Sequence, residues 1–226
     1  MARERYSSGA RLYDALSAEW PVYRVGRTTA IERLDPRPGE RVLDLGCGTG
    51  LNHSLLDAAV GPDGAVLGVD RSAAMLEVAR RRAERRGLRT VRLLESDATA
   101  LDVDAARSAL GGPADVVIAT YTLSIMSDPV EAWRRALAVA RPGARVAIVD
   151  MKEPHGSARL VAPLARAFAG FGGADLDVQP WRMIETGARG VSARGLRGGH
   201  IQVRVGTLPE APSAAADAAT SEEPAA

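Results

Sequence analysis

Short apolar runs rich in Val, Ile and Leu alternate, from residue 41 onward, with longer segments in which Ala, Leu and Arg recur at helical spacing. This alternation is typical of repeated βα units around a parallel sheet. The runs lack strict alternation of apolar and polar positions, as expected for strands buried on both faces. The pattern predicts five strands, at residues 41–45, 65–70, 90–95, 115–120 and 145–150.

The segments between these strands carry helix start and stop signals. After the second strand, Ser72 is a candidate N-cap, and Gly87 is predicted to end the helix. After the fourth strand, Asp128 is predicted to cap a helix that begins with Pro129. The Pro142-Gly143 pair is predicted to close that helix and turn the chain into the fifth strand.

The two ends of the chain have different patterns. Residues 1–36 place apolar residues at helical spacing and are predicted to form a helical lid across the mouth of the sheet. A further amphipathic helix is predicted at 157–171, followed by closing strands at 189–194 and 200–206. We therefore predict three parts: the lid (1–36), one domain (37–206) and a disordered, acidic, Ala- and Pro-rich tail (207–226).

Composition narrows the function classes. The 226 residues are 46% hydrophobic and 25% charged with a net charge of +1, which is typical of a soluble globular protein and argues against a dedicated nucleic-acid binder. We interpret the arginines at 80–86 as a solvated helix end. The single cysteine excludes an internal disulfide and multi-cysteine zinc motifs, and we predict no metal site. The N-terminus lacks the apolar core of a signal peptide, so a cytoplasmic location is expected.

The sharpest chemical motif follows the first strand, where Asp44 precedes the loop Gly46-Cys47-Gly48-Thr49-Gly50. Glycines at this spacing allow a tight turn and let a ligand lie against the main chain. The spacing differs from the G-x-G-x-x-G of dinucleotide-binding folds, because the third glycine comes one residue early. No Gly-Lys-Ser or Gly-Lys-Thr follows, which excludes a P-loop.

This arrangement resembles the glycine-rich motif of class I methyltransferases that use S-adenosylmethionine (SAM), over roughly residues 10–206. The resemblance implies an α/β, Rossmann-like, doubly wound sheet of seven strands in the order 3-2-1-4-5-7-6, with the last strand antiparallel. It implies SAM as cofactor and S-adenosylhomocysteine (SAH) as product. In that family the loop holds the amino acid half of SAM, here through Gly46, Cys47, Gly48 and Gly50, and the preceding acid, here Asp44, lies near its ammonium group.

Two further matches follow at the ends of the next strands. Asp70, with Arg71 and Met75 after it, occupies the place where a carboxylate accepts the ribose hydroxyls. Asp97 and Ala98 resemble the segment that binds the adenine amino group. An acid at Asp70 also suits NAD, so an NAD-dependent oxidoreductase stays an alternative. Further candidate cofactor contacts are Tyr23 and Arg27 from the lid, and Thr120 at the end of the fourth strand.

The segment 119–126 lies where the methyl group should meet its acceptor. It lacks the Asn- or Asp-Pro-Pro-aromatic motif of DNA amino-methyltransferases, so nucleic-acid bases are not expected as acceptors. It is similar to the Tyr-x-Leu-Ser stretch of bacterial lipid-amine N-methyltransferases, which act on phosphatidylethanolamine or betaine-lipid head groups, and more distantly to quinone C-methyltransferases. The resemblance implies methylation of an amine nitrogen on a small molecule or lipid head group. Alternatives are O- or C-methylation of a secondary metabolite or quinone, and a SAM-binding module without catalysis.

Three residues are candidates for catalytic contact with the acceptor. Tyr121 can orient an amine through its hydroxyl or a cation–π contact, and His155 and His53 are candidate bases. His200 is predicted to be structural. A lipid acceptor would fit with a predicted helix at 5–20 that lies on a membrane surface. We favour the alternative, in which this helix packs against the protein itself. The sequence does not indicate an oligomeric state.

Overall fold

The computed structural model describes residues 23–152 and 178–210. In chain order the elements are α1 (Arg24–Leu34), β1 (Arg41–Leu45), α2 (His53–Val60), β2 (Ala65–Asp70), α3 (Ala73–Arg86), β3 (Val91–Glu95), α4 (Val103–Leu110), β4 (Ala114–Thr120), α5 (Pro129–Val139), β5 (Ala140–Met151), α6 (Arg182–Gly187), β6 (Arg189–Leu196) and β7 (Ile201–Thr207). Short 3₁₀ turns lie at Ala98–Ala100 and Leu123–Ile125. None of the helices in these two ranges has the length and apolar content needed to span a bilayer.

The seven strands form one sheet in the order β3-β2-β1-β4-β5-β7-β6. Strands β1 to β5 pair in parallel, and β7 runs antiparallel to both β5 and β6. The predicted order and the antiparallel last strand are therefore confirmed. The predicted bounds of β1 and β2 agree with the structure, because both apolar runs are buried along nearly their whole length.

The sheet is covered on both faces, which makes the fold doubly wound. One buried cluster joins the sheet to α1 and α2 through Ile31, Leu34 and Leu56. The other joins it to α4, α5 and α6 and includes Trp133 and Ile184. Parallel strands need this coverage because they expose apolar side chains on both faces. The loops that follow β1, β2, β3 and β4 lie at the same edge of the sheet, which is where α/β folds bind ligands.

The helix caps follow the sequence signals, with one exception. Ser72 accepts from the Met75 amide at the start of α3, and Asp128 accepts from the Glu131 amide at the start of α5. The prediction that Pro142-Gly143 turns the chain after α5 is wrong. Helix α5 ends at Val139, and the pair lies within the irregular start of β5, where Gly143 takes φ +69° and the register with β4 shifts.

The structure corrects the predicted start of the tail. Residues at 207 and 208 belong to the sheet rather than to the predicted disordered tail, because β7 extends to Thr207 and the Leu208 amide donates to the Ala144 carbonyl. The predicted helix at 157–171, most of the predicted lid (residues 1–22) and the tail beyond 210 lie outside the described residues.

Candidate cofactor and acceptor site

The loop after β1 has a backbone that favours glycine. Gly46, Gly48 and Gly50 have φ of +64°, +54° and +74°, a region that residues with a Cβ rarely adopt. A Cβ at Gly46 would overlap the Thr122 side chain, so glycine lets the loop approach the chain that follows β4. A Cβ at Gly48 would meet no protein atom within 4 Å, so this side of the loop is open.

Asp70, the last residue of β2, ties this loop to the start of α3. Its Oδ2 accepts from the Gly48 amide at 2.9 Å, and its Oδ1 accepts from the Ser72 amide at 2.9 Å. Burial raises the pKa of Asp70, whereas the backbone hydrogen bonds lower it. Each carboxylate oxygen keeps a further lone pair that can accept from a hydroxyl group.

The segment after β3 forms the far end of the same cavity. Asp97 caps the 3₁₀ turn that begins at Ala98, because it accepts from the Thr99 hydroxyl at 2.7 Å and from the Thr99 amide at 2.9 Å. These two bonds lower the pKa of Asp97, which is therefore a carboxylate at neutral pH. An exposed carboxylate and a buried Ala98 thus lie side by side.

The cavity joins these segments to α1 and to the chain after β4. Its lining includes the predicted cofactor residues Arg27, Gly46, Cys47, Gly48, Asp70, Arg71, Met75, Asp97, Ala98 and Thr120, and the predicted catalytic residue Tyr121. Ten further lining residues are not among the cofactor or catalytic residues predicted from the sequence: Thr49, Leu51, Val69, Ser72, Ser96, Thr99, Thr122, Ile125, Met126 and Ser127. Each lies at or after the end of β1, β2, β3 or β4, which is the signal that could have found them.

A buried polar cluster lies behind the loop. The Asn52 amide donates to Asp44 Oδ1 at 2.9 Å and to Thr120 Oγ1 at 3.1 Å. His53 Nε2 lies 3.5 Å from Asp44 Oδ2, which is long for a hydrogen bond. Within the described part of the chain, Asp44 Oδ2, Asn52 Oδ1 and both ring nitrogens of His53 lack hydrogen-bond partners. Asn52 could not be recognised as part of this cluster from the sequence, because an amide at a helix start is common.

Burial sets the charges of this cluster. It raises the pKa of Asp44 to about 7, although the bond from Asn52 and the nearby charge of Arg27 oppose the shift. It lowers the pKa of His53 to about 4, and the positive charge of Arg82 acts in the same direction. At neutral pH His53 is therefore neutral, and a cation that reached Asp44 would favour its ionised form.

Four predicted site residues lie outside the cavity wall. His53 is buried between Gly50 and Gly68 behind the loop, so the structure does not place it as a base for the acceptor. Asp44 and Gly50 are also behind the loop surface. Tyr23 is buried behind Tyr121 instead of facing the cavity. The remaining candidate base, His155, lies outside the described residues.

The wall nearest the predicted acceptor position combines an aromatic ring with a cation. The Arg27 guanidinium lies 5.0 Å from the centroid of the Tyr121 ring and donates to Thr120 Oγ1 at 2.5 Å. Half-buried Ile125 and Met126 add an apolar surface. Tyr121 has φ +56°, which is uncommon for a bulky residue and indicates that its contacts hold the backbone in place.

A chain of hydrogen bonds holds Tyr121 from behind. Its hydroxyl donates to the Tyr23 carbonyl at 2.8 Å, and the two rings meet edge to face. The Tyr23 hydroxyl lies 3.4 Å from His200 Nε2, and His200 Nδ1 lies 2.6 Å from the Lys152 carbonyl. Because a carbonyl only accepts, Nδ1 carries the proton and Nε2 accepts from Tyr23. His200 is thus a buried structural residue, as predicted.

A second anchor fixes the turn that carries Ile125 and Met126. Asp150, fully buried at the end of β5, accepts from the Ser124 hydroxyl at 2.6 Å, from the Ser124 amide at 3.1 Å and from the Met151 amide at 2.8 Å. Burial raises the pKa of Asp150 to about 6 in spite of these bonds. The sequence did not indicate this contact because it joins residues of two different βα units.

The raised pKa of Asp150 predicts a pH dependence of stability. The folded protein binds this proton more tightly than the unfolded chain does, so the free energy of unfolding should fall as the pH rises from about 4 to about 6. We expect the contribution of Asp150 to reach about 3 kcal/mol. Urea unfolding of the wild type and of Asp150→Asn isolates it, since Asp44 and His53 titrate alike in both proteins. A difference between the two that does not vary between pH 4 and 7 would contradict the assignment.

The fold and this site together define the class of protein. The strand order, the glycine loop after β1, and the acids at the end of β2 and after β3 are those of a Rossmann-like SAM-dependent methyltransferase. A family model described as a methyltransferase domain matches residues 36–169, which is more than half of the chain. The chain therefore belongs to the class I SAM-dependent methyltransferase family. The alternative of an NAD-dependent oxidoreductase is set aside.

Similar proteins agree with this assignment. The chain is 35% identical over 167 residues to a 2-phytyl-1,4-naphtoquinone methyltransferase of Synechococcus elongatus, with 70% of this chain and 64% of that protein covered. It is 34% identical over 150 residues to an aklanonic acid methyltransferase of Streptomyces sp., with 65% and 63% covered. The chain thus spans less than two thirds of the length of these relatives.

The fold likeness extends to a solved structure with lower sequence identity. A phosphoethanolamine N-methyltransferase 2 of Haemonchus contortus superposes with a TM-score of 0.69 at 15% identity, covering 92% of this chain and 60% of that one. At an identity this low, the likeness shows a shared fold and nothing further.

In the described ranges of the present chain, no group of three His, Cys, Asp or Glu residues is placed to hold a metal ion.

Proposed function

We propose that the protein transfers the methyl group of SAM to a small-molecule oxygen or carbon nucleophile that is anionic when it reacts, such as a phenolate or an enolate. The observation that carries this proposal is the Arg27 guanidinium over the Tyr121 ring, beside Thr120, in the wall of the cavity. A fixed cation there stabilises an anionic acceptor next to the methyl donor.

The residues that line the cavity are chemically suited to bind SAM. Gly46, Cys47 and Gly48 line the cavity, and the main chain at Gly48 is open to the amino acid half of the molecule. We assign the oxygens of Asp70 to the ribose hydroxyls and Asp97, beside Ala98, to the adenine amino group; both residues line the cavity. Asp44, whose Oδ2 has no hydrogen-bond partner within the described residues, lies behind the loop, where the ammonium group of SAM would favour its ionised form.

When bound, SAM supplies a methyl group on a positively charged sulfur, and the acceptor's electron pair displaces the sulfur while the methyl carbon forms the new bond. The residues of this chain therefore mainly bind, orient and exclude water. The Tyr121 hydroxyl already donates to the Tyr23 carbonyl, so it serves as part of the wall better than as a base. The acidic residues that line the described cavity are Asp70 and Asp97. Because we assign them to the ribose and the adenine, neither is proposed as a base for the acceptor.

The same geometry ranks the alternative acceptors. The predicted cation–π contact of Tyr121 with an acceptor amine competes with Arg27, which lies over that ring and would repel a second cation. This favours oxygen or carbon over amine nitrogen as the methylated atom. The names of the relatives, a naphtoquinone and an aklanonic acid methyltransferase, support the same order. Methylation of an amine or lipid head group stays a prediction from the sequence, and the assay described next tests it as well.

An activity measurement tests the proposal. Protein and SAM are incubated with a reduced 1,4-naphthoquinone or with phosphoethanolamine, and methylated product and SAH are measured by mass spectrometry. We expect the hydroquinone to be methylated, and Arg27→Met to lower kcat/KM for it at least about tenfold with SAH affinity nearly unchanged. If phosphoethanolamine is the better acceptor, the proposed acceptor class is wrong. If Arg27→Met weakens SAH binding equally, Arg27 holds the cofactor, as the sequence predicted. An absence of SAH formation with every acceptor tried would favour a non-catalytic SAM-binding module.

A further inference from the structure

One arginine of α3 differs from its neighbours in what it contacts. Arg80 and Arg81 pair with Glu77 on the exposed face of the helix. Arg82 instead reaches the loop after β1, where its Nη1 donates to the Thr49 carbonyl at 2.6 Å and lies 3.2 Å from Thr49 Oγ1. The interpretation of residues 80–86 as a solvated helix end is therefore wrong for Arg82.

This contact complements the one made by Asp70. The carboxylate of Asp70 accepts from the amide of Gly48, and the guanidinium of Arg82 donates to the carbonyl of Thr49, the next residue. Both are charge-assisted hydrogen bonds, which are shorter and stronger than neutral ones. The loop is thus held at consecutive residues by two charges of opposite sign from the end of β2 and from α3.

Packing below the loop leaves it little freedom to move inward. A Cβ at Gly50 would lie 2.5 Å from His53 Nδ1, so this part of the loop already rests on the His53 ring. Thr49 itself is buried and lines the cavity. Loss of the bond to Arg82 would free the Thr49 carbonyl, which belongs to a residue that lines the cavity next to Gly48.

We propose that Arg82 is a positioning residue for SAM, which fixes the Thr49 carbonyl and so preforms the surface that receives the amino acid half of the cofactor. The proposal rests on the cofactor placement under Proposed function. It predicts that Arg82 matters for ligands that reach the loop after β1 and not for ligands confined to the ribose and adenine end of the cavity.

Titration calorimetry with SAH and, separately, with adenosine tests this division. We expect Arg82→Met to weaken SAH binding about tenfold, the order of one charge-assisted hydrogen bond, and to change adenosine affinity less than about twofold. Arg82→Lys should recover part of the SAH affinity, because its ammonium can donate to the same carbonyl. Arg81→Met, which changes a neighbouring exposed arginine, should bind both ligands as the wild type does.

Three results with the variants would overturn the proposal. The first is wild-type SAH affinity of Arg82→Met. The second is an equal loss of SAH and adenosine affinity in Arg82→Met with a lowered Tm, because equal losses indicate a purely structural role. The third is an SAH affinity of Arg82→Lys no higher than that of Arg82→Met. A wild-type protein that binds adenosine but not SAH would reject the placement of the amino acid half, and this proposal with it, whereas binding of neither would reject the cofactor site itself.

Discussion

Replacing Gly48 by alanine is expected to weaken SAH binding at least about 100-fold, which corresponds to about 2.7 kcal/mol. Gly48 lines the cavity with φ +54°, and a Cβ there would meet no protein atom within 4 Å. The added methyl group would therefore occupy space on the side from which the ligand approaches the main chain. Calorimetry with SAH measures the loss directly.

A second glycine separates this steric effect from backbone strain. Gly87, at the end of α3, has φ +64° and also has no atom within 4 Å of an added Cβ, but it does not line the cavity. Both alanine variants should lose similar stability, about 1–2 kcal/mol for the left-handed conformation. Only Gly48→Ala should lose SAH affinity. If Gly87→Ala weakens SAH binding as much, or Gly48→Ala binds normally, the loop does not receive the ligand.

The cofactor half of the site could be predicted because its signals are local. Glycine spacing fixes a turn that few other residues adopt, Asp70 ends β2, and Asp97 lies two residues after β3, at the same edge of the sheet. A parallel sheet brings consecutive strand ends together. A linear pattern therefore places all of these residues near one cavity, without any knowledge of where each side chain points.

The other half depends on contacts between distant parts of the chain. Tyr23 and His200 meet across 177 residues, and Arg82 reaches the loop from α3, a helix of the next βα unit. Spacing identifies the helix face of such residues but not the partner of the polar group. His53 shows the same limit, because one turn of helix decides whether a ring faces the cavity or the buried cluster.

Replacing Asp70 by alanine should also weaken SAH binding at least about 100-fold, because two charge-assisted hydrogen bonds of about 1.5 kcal/mol each would be lost at the ribose. The change also removes the partner of the Gly48 amide. Asp102→Ala is a matched control, since Asp102 likewise accepts from two backbone amides, at 3.0 Å each, but caps α4 outside the cavity lining. It should cost about 1 kcal/mol of stability and leave SAH affinity unchanged.

Modified nucleosides distinguish direct contact of Asp70 with the ribose from its support of the loop. If Asp70 accepts the hydroxyls, the wild type should bind adenosine more tightly than 2′-deoxyadenosine or 3′-deoxyadenosine, and this preference should disappear in Asp70→Ala. A variant that keeps the preference while losing SAH affinity would show that Asp70 acts only through the Gly48 amide. The comparison isolates the interaction between the ribose hydroxyl and the Asp70 carboxylate. If the two groups contact each other, the affinity losses from removing each one alone do not add when both are removed.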